Sequence, residues 1–413
     1  MYFLYNFIIL VFLIISPLIF LIRIIKKKEH PNRFLEKYCI YKKTKNNSKV
    51  IWLHAASVGE LISVIPIIKK LESKKSINKI LLTTSTVSSA KIYKKHNFKK
   101  TIHKFFPIDS NYLTKRFINF WKPKTAIFVD SEIWPNMIKN LNKKKIPIII
   151  INGRITEKSF KRWKNFPKFA EKVFSKINLA LPSNIETSKY LKILGVKNIK
   201  HAGNLKFFGK IDHKQKQFNT IKKKFKKYKI FCAASTHKGE EELICKLHLK
   251  LREKIKDLIT IIIPRHITRI EEIKNNLTNN NLNFVEHSSE SKLNRDTDIY
   301  LVDVYGETYK FFYLSNVTFM GGSIINHGGQ NPLEAARFGN FILSGPNIKN
   351  FKEIYNFLEK NKIYRKTQNL LIMEKFIKHN LNKKLSNQLR EKITNIGNQA
   401  LNKNLSYIQK YIK

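Results

Sequence analysis

The chain has 413 residues, a length that suits two domains of ordinary size and an additional segment rather than one core. Its formal net charge of +50 suggests a polyanionic partner, but the excess is mostly Lys, is spread along the chain and accompanies abundant Asn and Ile, as compositional bias would produce. The three cysteines, Cys39, Cys232 and Cys245, are isolated, which argues against a disulfide framework or a zinc site.

The first predicted element is an N-terminal membrane helix over residues 1–25. Residues 2–22 form an almost uninterrupted apolar run without a charge, close to the ~20 residues that span a bilayer. A cleaved signal peptide is the alternative, but no basic segment precedes the run and no small-residue cleavage motif follows it. Arg23 and the lysines at 26–28 follow immediately. The positive-inside rule then places the rest of the chain in the cytoplasm, behind a single-pass anchor.

After a basic connector over residues 26–49, short apolar runs alternate with longer segments of helical period. This pattern is typical of βαβ units and a parallel sheet. In a first domain over residues 50–205, strands are predicted at 50–53, 80–84, 126–129, 146–151 and 179–182. Helices there are predicted to begin near Gly59, Val87, Asn111, Trp134 and Asn184.

A second domain over residues 206–385 repeats the pattern, and a C-terminal helical segment follows over 386–413. Its strands are predicted at 230–234, 258–263, 299–302, 317–320 and 341–343, and its helices near Gly239, Thr268, Tyr305, Pro332 and Asn350. We therefore expect an α/β protein with two Rossmann-like, doubly wound domains facing a cleft. In such sheets ligands bind outside the carboxyl ends of the strands. Neither G-x-G-x-x-G nor a P-loop occurs, which argues against a dinucleotide dehydrogenase and a P-loop kinase.

The first strand-to-helix turn, residues 54–60, has small residues that would let the backbone approach a ligand, and it ends in Glu60. Glu60 falls in the first turn of the next helix, where we expect the helix dipole to stabilise its charged form, as suits a general base. A glutamate that only caps the helix is the alternative.

Two further first-domain turns carry charged residues. Asp130 and Glu132 follow a predicted strand, and either carboxylate could face the cleft. Alternatively, Asp130 or Ser131 caps the next helix, with Pro135 in its first turn. Lys206 follows Gly-Asn-Leu at the seam between the domains, where it could meet a donor phosphate; a solvated surface lysine is the alternative.

The second domain offers polar turns after three of its strands. The turn at 234–242 leads into a helix N-terminus, a place that fits phosphate oxygens. Arg265 could form a bidentate pair of hydrogen bonds with a phosphate or a carboxylate. A glycine-rich turn at 321–323 leads to Asn-Pro at 331–332, where the free N–H groups of a helix start could hold a phosphate while Glu334 accepts ribose hydroxyl protons. A flexible loop would explain the glycines but not the Asn-Pro-Leu-Glu.

Together these turns resemble the bacterial 3-deoxy-D-manno-octulosonic acid (Kdo) transferase family, inner-membrane glycosyltransferases of GT-B architecture in lipopolysaccharide synthesis. The resemblance covers almost the whole chain, including the anchor. Its motifs are His-x-x-Ser-Val-Gly-Glu at 54–60, Ser-Glu-Ile-Trp-Pro-Asn at 131–136, Asn-Gly-Arg-Ile at 152–155, Gly-Asn-Leu-Lys at 203–206, Ser-Thr-His-Lys-Gly-Glu-Glu at 235–241, Pro-Arg-His at 264–266, Gly-Glu at 306–307, Gly-Gly-Ser at 321–323 and Gly-Gly-Gln-Asn-Pro-Leu-Glu at 328–334.

The resemblance implies transfer of Kdo from CMP-Kdo onto the lipid A precursor (lipid IVA), with release of CMP, no required metal and no cofactor. It implies an enzyme on the cytoplasmic side of the bacterial inner membrane, without a specific nucleic-acid partner. By the same resemblance Glu60 is the general base, and Asp130 and Lys206 stabilise the transition state. The implied CMP contacts are Pro264, Arg265, Tyr305, Gly306, Glu307, Asn331, Pro332, Leu333 and Glu334.

The chain departs from the family pattern at several positions. Asp130 stands where the family usually has Glu, Gln330 replaces a usual His, and Tyr305 replaces a usual Met. The turn at 83–89 lacks the usual Pro and Gly. Two other functions compete: a GT-B envelope glycosyltransferase with a different nucleotide-sugar donor, and a membrane-tethered nucleic-acid-binding protein, which the charge alone suggests and which predicts steeply salt-dependent binding.

Overall fold

The computed structural model describes residues 1–41, 50–209, 215–289 and 291–412. The chain forms two compact units, Met1–Phe208 with Ile396–Lys413, and Gly209–Asn395. Part of the predicted connector, residues 42–49, and residues 210–214 near the predicted seam lie outside the described residues. The domain boundaries taken from the sequence stay predictions.

The first unit is built on a parallel sheet of six strands. The strands are β1 (Val50–His54), β2 (Ile80–Thr84), β3 (Thr101–Phe105), β4 (Pro123–Val129), β5 (Ile148–Gly153) and β6 (Leu179–Pro182). Their order, β3-β2-β1-β4-β5-β6, is that of a Rossmann sheet. The order reverses between the neighbours β1 and β4, so the residues after these two strands share the place where ligands bind in such sheets.

Apolar side chains cover both faces of this sheet. Trp52 and Phe128 pack into one core cluster, whereas Leu53 and Ile127 pack into another. Burial on both faces explains why these strands are continuous apolar runs in the sequence.

Among the described residues, eight α-helices precede, connect or follow these strands. They are α1 (Tyr2–Ile25), α2 (Val58–Glu72), α3 (Val87–Lys94), α4 (Asn111–Trp121), α5 (Pro135–Lys143), α6 (Glu157–Lys164), α7 (Pro167–Phe174) and α8 (Ile185–Ile193). Five of them begin after a residue whose side chain accepts a backbone N–H of the first turn; these caps are Ser57, Thr86, Ser110, Thr156 and Asn184. Such caps fix where the helices start.

Helix α5 is capped from a distance. Pro135 is its first residue, as expected, but neither Asp130 nor Ser131 caps it. Instead the buried carboxylate of Asp109 accepts the N–H groups of Asn136 and Met137 at 3.0 and 2.8 Å. The alternative that Asp130 or Ser131 caps this helix is therefore wrong. The residue at the N-cap position, Trp134, provides no side-chain cap, and Asp109, from before α4, provides it instead.

Helix α1 is long and apolar enough to cross a membrane by its length and composition. One side of it contacts the first unit: the Tyr5 hydroxyl donates to Asp109 at 2.6 Å, and Asn136 donates to the Asn6 side chain at 2.8 Å. Much of the remaining surface consists of exposed apolar side chains, among them Phe3 and Ile14. The helix therefore has a docked side and an uncovered apolar side.

The second unit has a parallel sheet of seven strands. They are β7 (Lys229–Thr236), β8 (Leu258–Pro264), β9 (Phe284–Glu286), β10 (Ile299–Leu301), β11 (Val317–Met320), β12 (Phe341–Ser344) and β13 (Tyr364–Lys366). Their order is β13-β12-β11-β7-β8-β10-β9. The central strands β11, β7 and β8 are therefore neighbours, and the turns after them lie at one edge of the sheet.

The helices from residue 215 onward are α9 (Gln215–Lys224), α10 (Glu240–Arg252), α11 (Ile270–Asn279), α12 (Thr308–Leu314), α13 (Leu333–Arg337), α14 (Lys352–Lys360), α15 (Leu370–Asn380) and α16 (Asn387–Gln409). Helix α12 begins three residues after the predicted start at Tyr305, because Gly306 has a φ of +90° and forms a turn instead. The predicted C-terminal segment is helical, but from Ile396 onward it belongs to the first unit, where Leu401 and Ile408 join the core.

Candidate active site

The turn between β1 and α2 fixes the position of Glu60. Its carboxylate accepts the Ser57 hydroxyl at 2.7 Å and the Ala56 N–H at 2.8 Å, while the Ser57 oxygen accepts the Glu60 N–H at 3.4 Å. The Ser57 and Glu60 side chains thus bond reciprocally, as in a capping box, with the Ala56 N–H in place of that of the N-cap residue Ser57. The two expectations for Glu60 are therefore compatible, since capping holds the carboxylate at the ligand edge of the sheet.

Burial changes the acidity of Glu60 in the direction opposite to that expected from the helix dipole. Loss of solvent raises the pKa of Glu60, the Ser57 hydrogen bond opposes the rise, and the negative charges of Glu132 and Asp130 add to it. The expected stabilisation of the charged form is thus outweighed. A carboxylate with a raised pKa takes up a proton more readily, which improves it as a general base near neutral pH.

Asp130 and Lys206 face each other. Asp130 follows β4 with a φ of +62°, a conformation that Asp adopts more readily than most residues. Lys206 lies in a one-turn helix, Leu205–Phe207, which the Asn204 side chain caps. The Lys206 ammonium is 3.5 Å from the Asp130 carboxylate, and its side chain is 19% exposed. The alternative of a fully solvated surface lysine is therefore wrong.

The environment of Asp130 contains opposing electrostatic effects. Burial raises the pKa of the Asp130 carboxyl, and the positive charges of Lys206 and Arg154 reduce the rise. Arg154 belongs to the Asn-Gly-Arg-Ile segment that follows β5. The two cations therefore help to keep Asp130 ionised at neutral pH.

Glu132 has a positioning network that the sequence did not reveal. Its Oε2 accepts the Trp134 indole N–H at 2.8 Å and lies 3.1 Å from Nε2 of His54. His54 is fully buried, and its other ring nitrogen contacts Thr83 at 3.0 Å. Burial alone would raise the pKa of Glu132, but the hydrogen bonds from His54 and Trp134 outweigh burial and lower it. The pKa values of the two neighbouring carboxyls are thus shifted in opposite directions: Glu132 is kept charged, and Glu60 is made more basic.

In the second unit, the glycine-rich turn after β11 is rigidly held. The Glu240 carboxylate accepts the N–H groups of Gly322 at 2.7 Å, Ser323 at 2.9 Å and Ile324 at 2.9 Å, and that of His237 at 3.0 Å. These N–H groups therefore bind a carboxylate of the protein itself, and the flexible-loop alternative is wrong for this turn.

The following Asn-Pro segment does not begin a long helix. Helix α13 has five residues, and the Asn331 side chain accepts the Leu333 N–H at 3.1 Å. Pro332 and Leu333 are buried, whereas Glu334 is exposed. The Asn331 side chain therefore occupies one N–H of this helix start, and the phosphate contact expected here stays a prediction.

The other residues expected to contact CMP follow β8 and β10. Pro264 ends β8, Arg265 is exposed, and Tyr305 is 63% exposed with its hydroxyl 3.4 Å from the Ile267 N–H. Glu307 pairs with His287 at 2.6 Å and with Lys310 at 2.8 Å. Burial would raise the pKa of Glu307, but these two partners outweigh burial and lower it. The structure places these residues at the ligand edge of the sheet; their contacts with a nucleotide stay predictions.

The described residues contain no group of three or more His, Cys, Asp and Glu side chains that could hold a metal ion. The first unit offers its own carboxylates, with a lysine and an arginine beside them. Such a set can remove a proton from a hydroxyl and stabilise a developing negative charge.

Two Rossmann-like units with parallel sheets make this an α/β protein of the GT-B fold class. UDP-GlcNAc 2-epimerase from Neisseria meningitidis has the same fold, with a TM-score of 0.59, 13% sequence identity and coverage of 88% of this chain and 99% of the epimerase. At that identity the likeness concerns the fold alone.

Sequence relatives identify the family. The family model for 3-deoxy-D-manno-octulosonic-acid transferase (kdotransferase) matches residues 32–208. A 3-deoxy-D-manno-octulosonic acid transferase of Rickettsia bellii is 33% identical over 352 residues, covering 85% of this chain and 84% of the relative. That of Haemophilus influenzae is 30% identical over 394 residues, covering 94% and 92%. The chain belongs to the Kdo transferase family and is a glycosyltransferase.

Proposed function

We propose that the protein transfers Kdo from CMP-Kdo to a hydroxyl of the lipid A precursor and releases CMP. The observation that carries the reaction type is the position of Glu60, which is fixed by its own turn and made more basic by burial and by two neighbouring carboxylates. The family membership supports the choice of sugar.

In the proposed reaction Glu60 removes the proton from the acceptor hydroxyl as its oxygen attacks the anomeric carbon of the donor. The bond from that carbon to the phosphate oxygen of CMP breaks, and CMP leaves with the bonding electron pair. Positive charge near the departing phosphate lowers the barrier, and we assign this role to Lys206, with Asp130 3.5 Å away to orient it.

We further propose that the first unit binds the acceptor and the second unit binds the donor. The CMP contacts would come from the residues after β8, β10 and β11. These are Pro264, Arg265, Tyr305, Gly306, Glu307, Asn331, Pro332, Leu333 and Glu334. The exposed side chains among them, Arg265, Tyr305 and Glu334, are the ones free to meet a ligand from solvent.

The lipid acceptor gives a reason for helix α1. We propose that α1 anchors the enzyme at the cytoplasmic face of the inner membrane, with its uncovered apolar side in contact with lipid. The basic residues that follow it, such as Arg23 and Lys26, would attract anionic headgroups and the phosphorylated acceptor.

The proposed function is tested by transfer of labelled Kdo from freshly generated CMP-Kdo to a tetraacylated lipid A precursor. UDP-sugars in matched incubations test the competing donors, and unacylated glucosamine disaccharide serves as the acceptor control. Label in the lipid product with CMP-Kdo alone is the expected result. Transfer from a UDP-sugar but not from CMP-Kdo by the folded enzyme would instead establish the competing glycosyltransferase.

A further inference from the structure

Three histidines lie together at the ligand edge of the second unit, and none of them has a role in the reaction described above. His327, His237 and His266 follow the neighbouring strands β11, β7 and β8. The His237 ring centroid is 4.5 Å from that of His327 and 6.0 Å from that of His266. Because strand order reverses between β11 and β7, this cluster lies where an open parallel sheet binds its ligand.

His237 is the buried member of the cluster. It is 8% exposed, and its Nδ1 lies 3.0 Å from the Ser235 carbonyl oxygen, so Nδ1 carries a hydrogen and donates it. Its Nε2 is buried and has no hydrogen-bond partner among the described residues. A buried polar atom without a partner is unusual in a folded protein and requires an explanation. His266 and His327 are exposed, so the cluster is open to solvent on their side.

Contacts within the protein fix the position of His237. Glu240 fixes the His237 backbone and the glycine-rich turn through four N–H groups. Gly322, with a φ of +65°, lies so close to the His237 ring that a Cβ there would be 3.2 Å from Cε1. The negative charge of Glu240 is 3.8 Å from Nδ1, and its oxygens are occupied by backbone donors. Nδ1 is thus the nitrogen near Ser235 and Glu240, and Nε2 is the ring nitrogen without a partner among the described residues.

We propose that His237, His266 and His327 form an anion-binding subsite that takes an acidic group of the sugar-nucleotide donor. The proposal rests on the proposed function for the identity of the donor, whose acidic groups are the sugar carboxylate and the nucleotide phosphate. An imidazole whose Nε2 carries a proton offers an N–H to such a group, and Arg265 lies exposed beside His266 in the chain. The subsite supplies the partner that Nε2 of His237 lacks.

An anion binds at Nε2 of His237 only if the ring takes up a second proton, since Nδ1 already carries the first. Burial lowers the pKa of His237, and the neighbouring His327 and His266 lower it further, while Glu240 opposes them. The charged imidazolium is thus disfavoured in the unliganded protein. An anion bound at Nε2 would favour the protonated ring and so gain a charge-assisted hydrogen bond.

The test uses the full-length enzyme with His237→Gln, His266→Gln and His327→Gln, and His379→Gln as the control. His379 is an exposed histidine of α15 that contacts Lys383 and lies outside the cluster. The measurements are the KM for CMP-Kdo and the Kd values of CMP and cytidine. We expect KM to rise about tenfold in each cluster variant, because each loses one charge-assisted hydrogen bond to the donor. KM should stay constant in the control.

The binding measurements separate the two acidic groups. If the subsite takes the phosphate, CMP binding weakens together with CMP-Kdo while cytidine binding is unchanged. If it takes the sugar carboxylate, CMP binding is unchanged and only CMP-Kdo is affected. Because His266 and His327 are exposed, their variants remain informative even if the buried His237→Gln fails to fold. Folded variants that match the wild type with all three ligands would overturn the proposal.

A further readout distinguishes failure of this proposal from failure of the proposed function. Imidazole nitrogen NMR of the wild type during titration with inorganic phosphate reports directly on the cluster. A shift of the three histidine signals that is lost in His327→Gln would support the subsite even if no Kdo were transferred. Unmoved signals with inorganic phosphate, with CMP and with free Kdo, which carries the sugar carboxylate, would count against it even if transfer were observed.

Discussion

Glu60 and Glu240 occupy corresponding positions in the two units. Each lies in the first turn of the helix that follows the first strand of its sheet, α2 after β1 and α10 after β7. Glu60 is half-buried, and among the described residues its carboxylate bonds within its own turn. The charges of Asp130 and Glu132 raise its pKa. Glu240 is fully buried and accepts four backbone N–H groups, three of them from a turn more than 80 residues away in the chain.

The same local pattern thus serves two purposes, because the partners of the carboxylate differ. Bonds within one turn leave Glu60 able to exchange a proton at the ligand edge of its sheet. Long-range bonds make Glu240 part of the scaffold that shapes the glycine-rich turn. Replacing each glutamate by glutamine should therefore affect activity in one unit and stability in the other.

The largest effect is expected for Glu60→Gln, which removes the proposed base and retains the side-chain shape. Transfer should fall by about 10²–10⁴-fold, the usual contribution of general-base catalysis. Thermal unfolding should remain close to that of the wild type, since glutamine can still accept one hydrogen bond from the turn. Glu157→Gln, at the exposed first turn of α6, is the matched control and should keep full activity. A Glu60→Gln enzyme with normal kcat would rule out this residue as the base.

For Glu240→Gln we expect a loss of stability of about 3 kcal/mol, since one partner of a buried, charge-assisted network is removed. The amide nitrogen cannot accept an N–H and would face the donors of His237, Gly322, Ser323 or Ile324. Chemical denaturation of the full-length protein measures the change. Glu242→Gln, exposed on the same helix, should unfold like the wild type. Equal stability of both variants would show that the carboxylate has no structural role.

Much of the fold follows from the sequence, because central parallel strands are buried on both faces and appear as uninterrupted apolar runs. The strands that were not predicted, β3, β9 and β13, lie at sheet edges, where polar side chains break the run. Several helix starts of the first unit were predictable within a few residues, because capping side chains such as Ser57 and Asn184 mark them locally.

The candidate site was predictable only in part. Motif positions indicated Glu60, Asp130 and Lys206, but the bond of Glu132 to His54 depends on how β1 and β4 pair. The occupation of the glycine-rich turn by Glu240 likewise depends on the neighbours β7 and β11. Such contacts join residues far apart in sequence, and turn chemistry alone does not reveal them.

A smaller loss of activity is expected for Lys206→Met, which keeps the length of the side chain and removes its charge. Transfer should fall about 10–100-fold, because an electrostatic contribution to the transition state is lost while the base remains. The pKa of Asp130 should rise, since Lys206 is one of the charges that lower it. Carboxyl NMR and single-turnover transfer measure the two changes. Lys200→Met, at an exposed position of the same unit, is the control, and equal rates in both variants would exclude a role for Lys206.

The smallest expected effect concerns the pH dependence of kcat/KM. A base acts only when deprotonated, so activity is lost as pH falls through its pKa, and the raised pKa of Glu60 places this acidic limb above the ordinary value of 4.5. Glu132→Gln removes a negative charge that raises the pKa of both Glu60 and Asp130. The acidic limb should therefore move to lower pH in this variant, whatever its maximal rate. An acidic limb that stays at the same pH or moves to higher pH would mean that the charge of Glu132 does not raise the pKa of Glu60. Glu60 would then lack the electrostatic coupling that distinguishes it from Glu240.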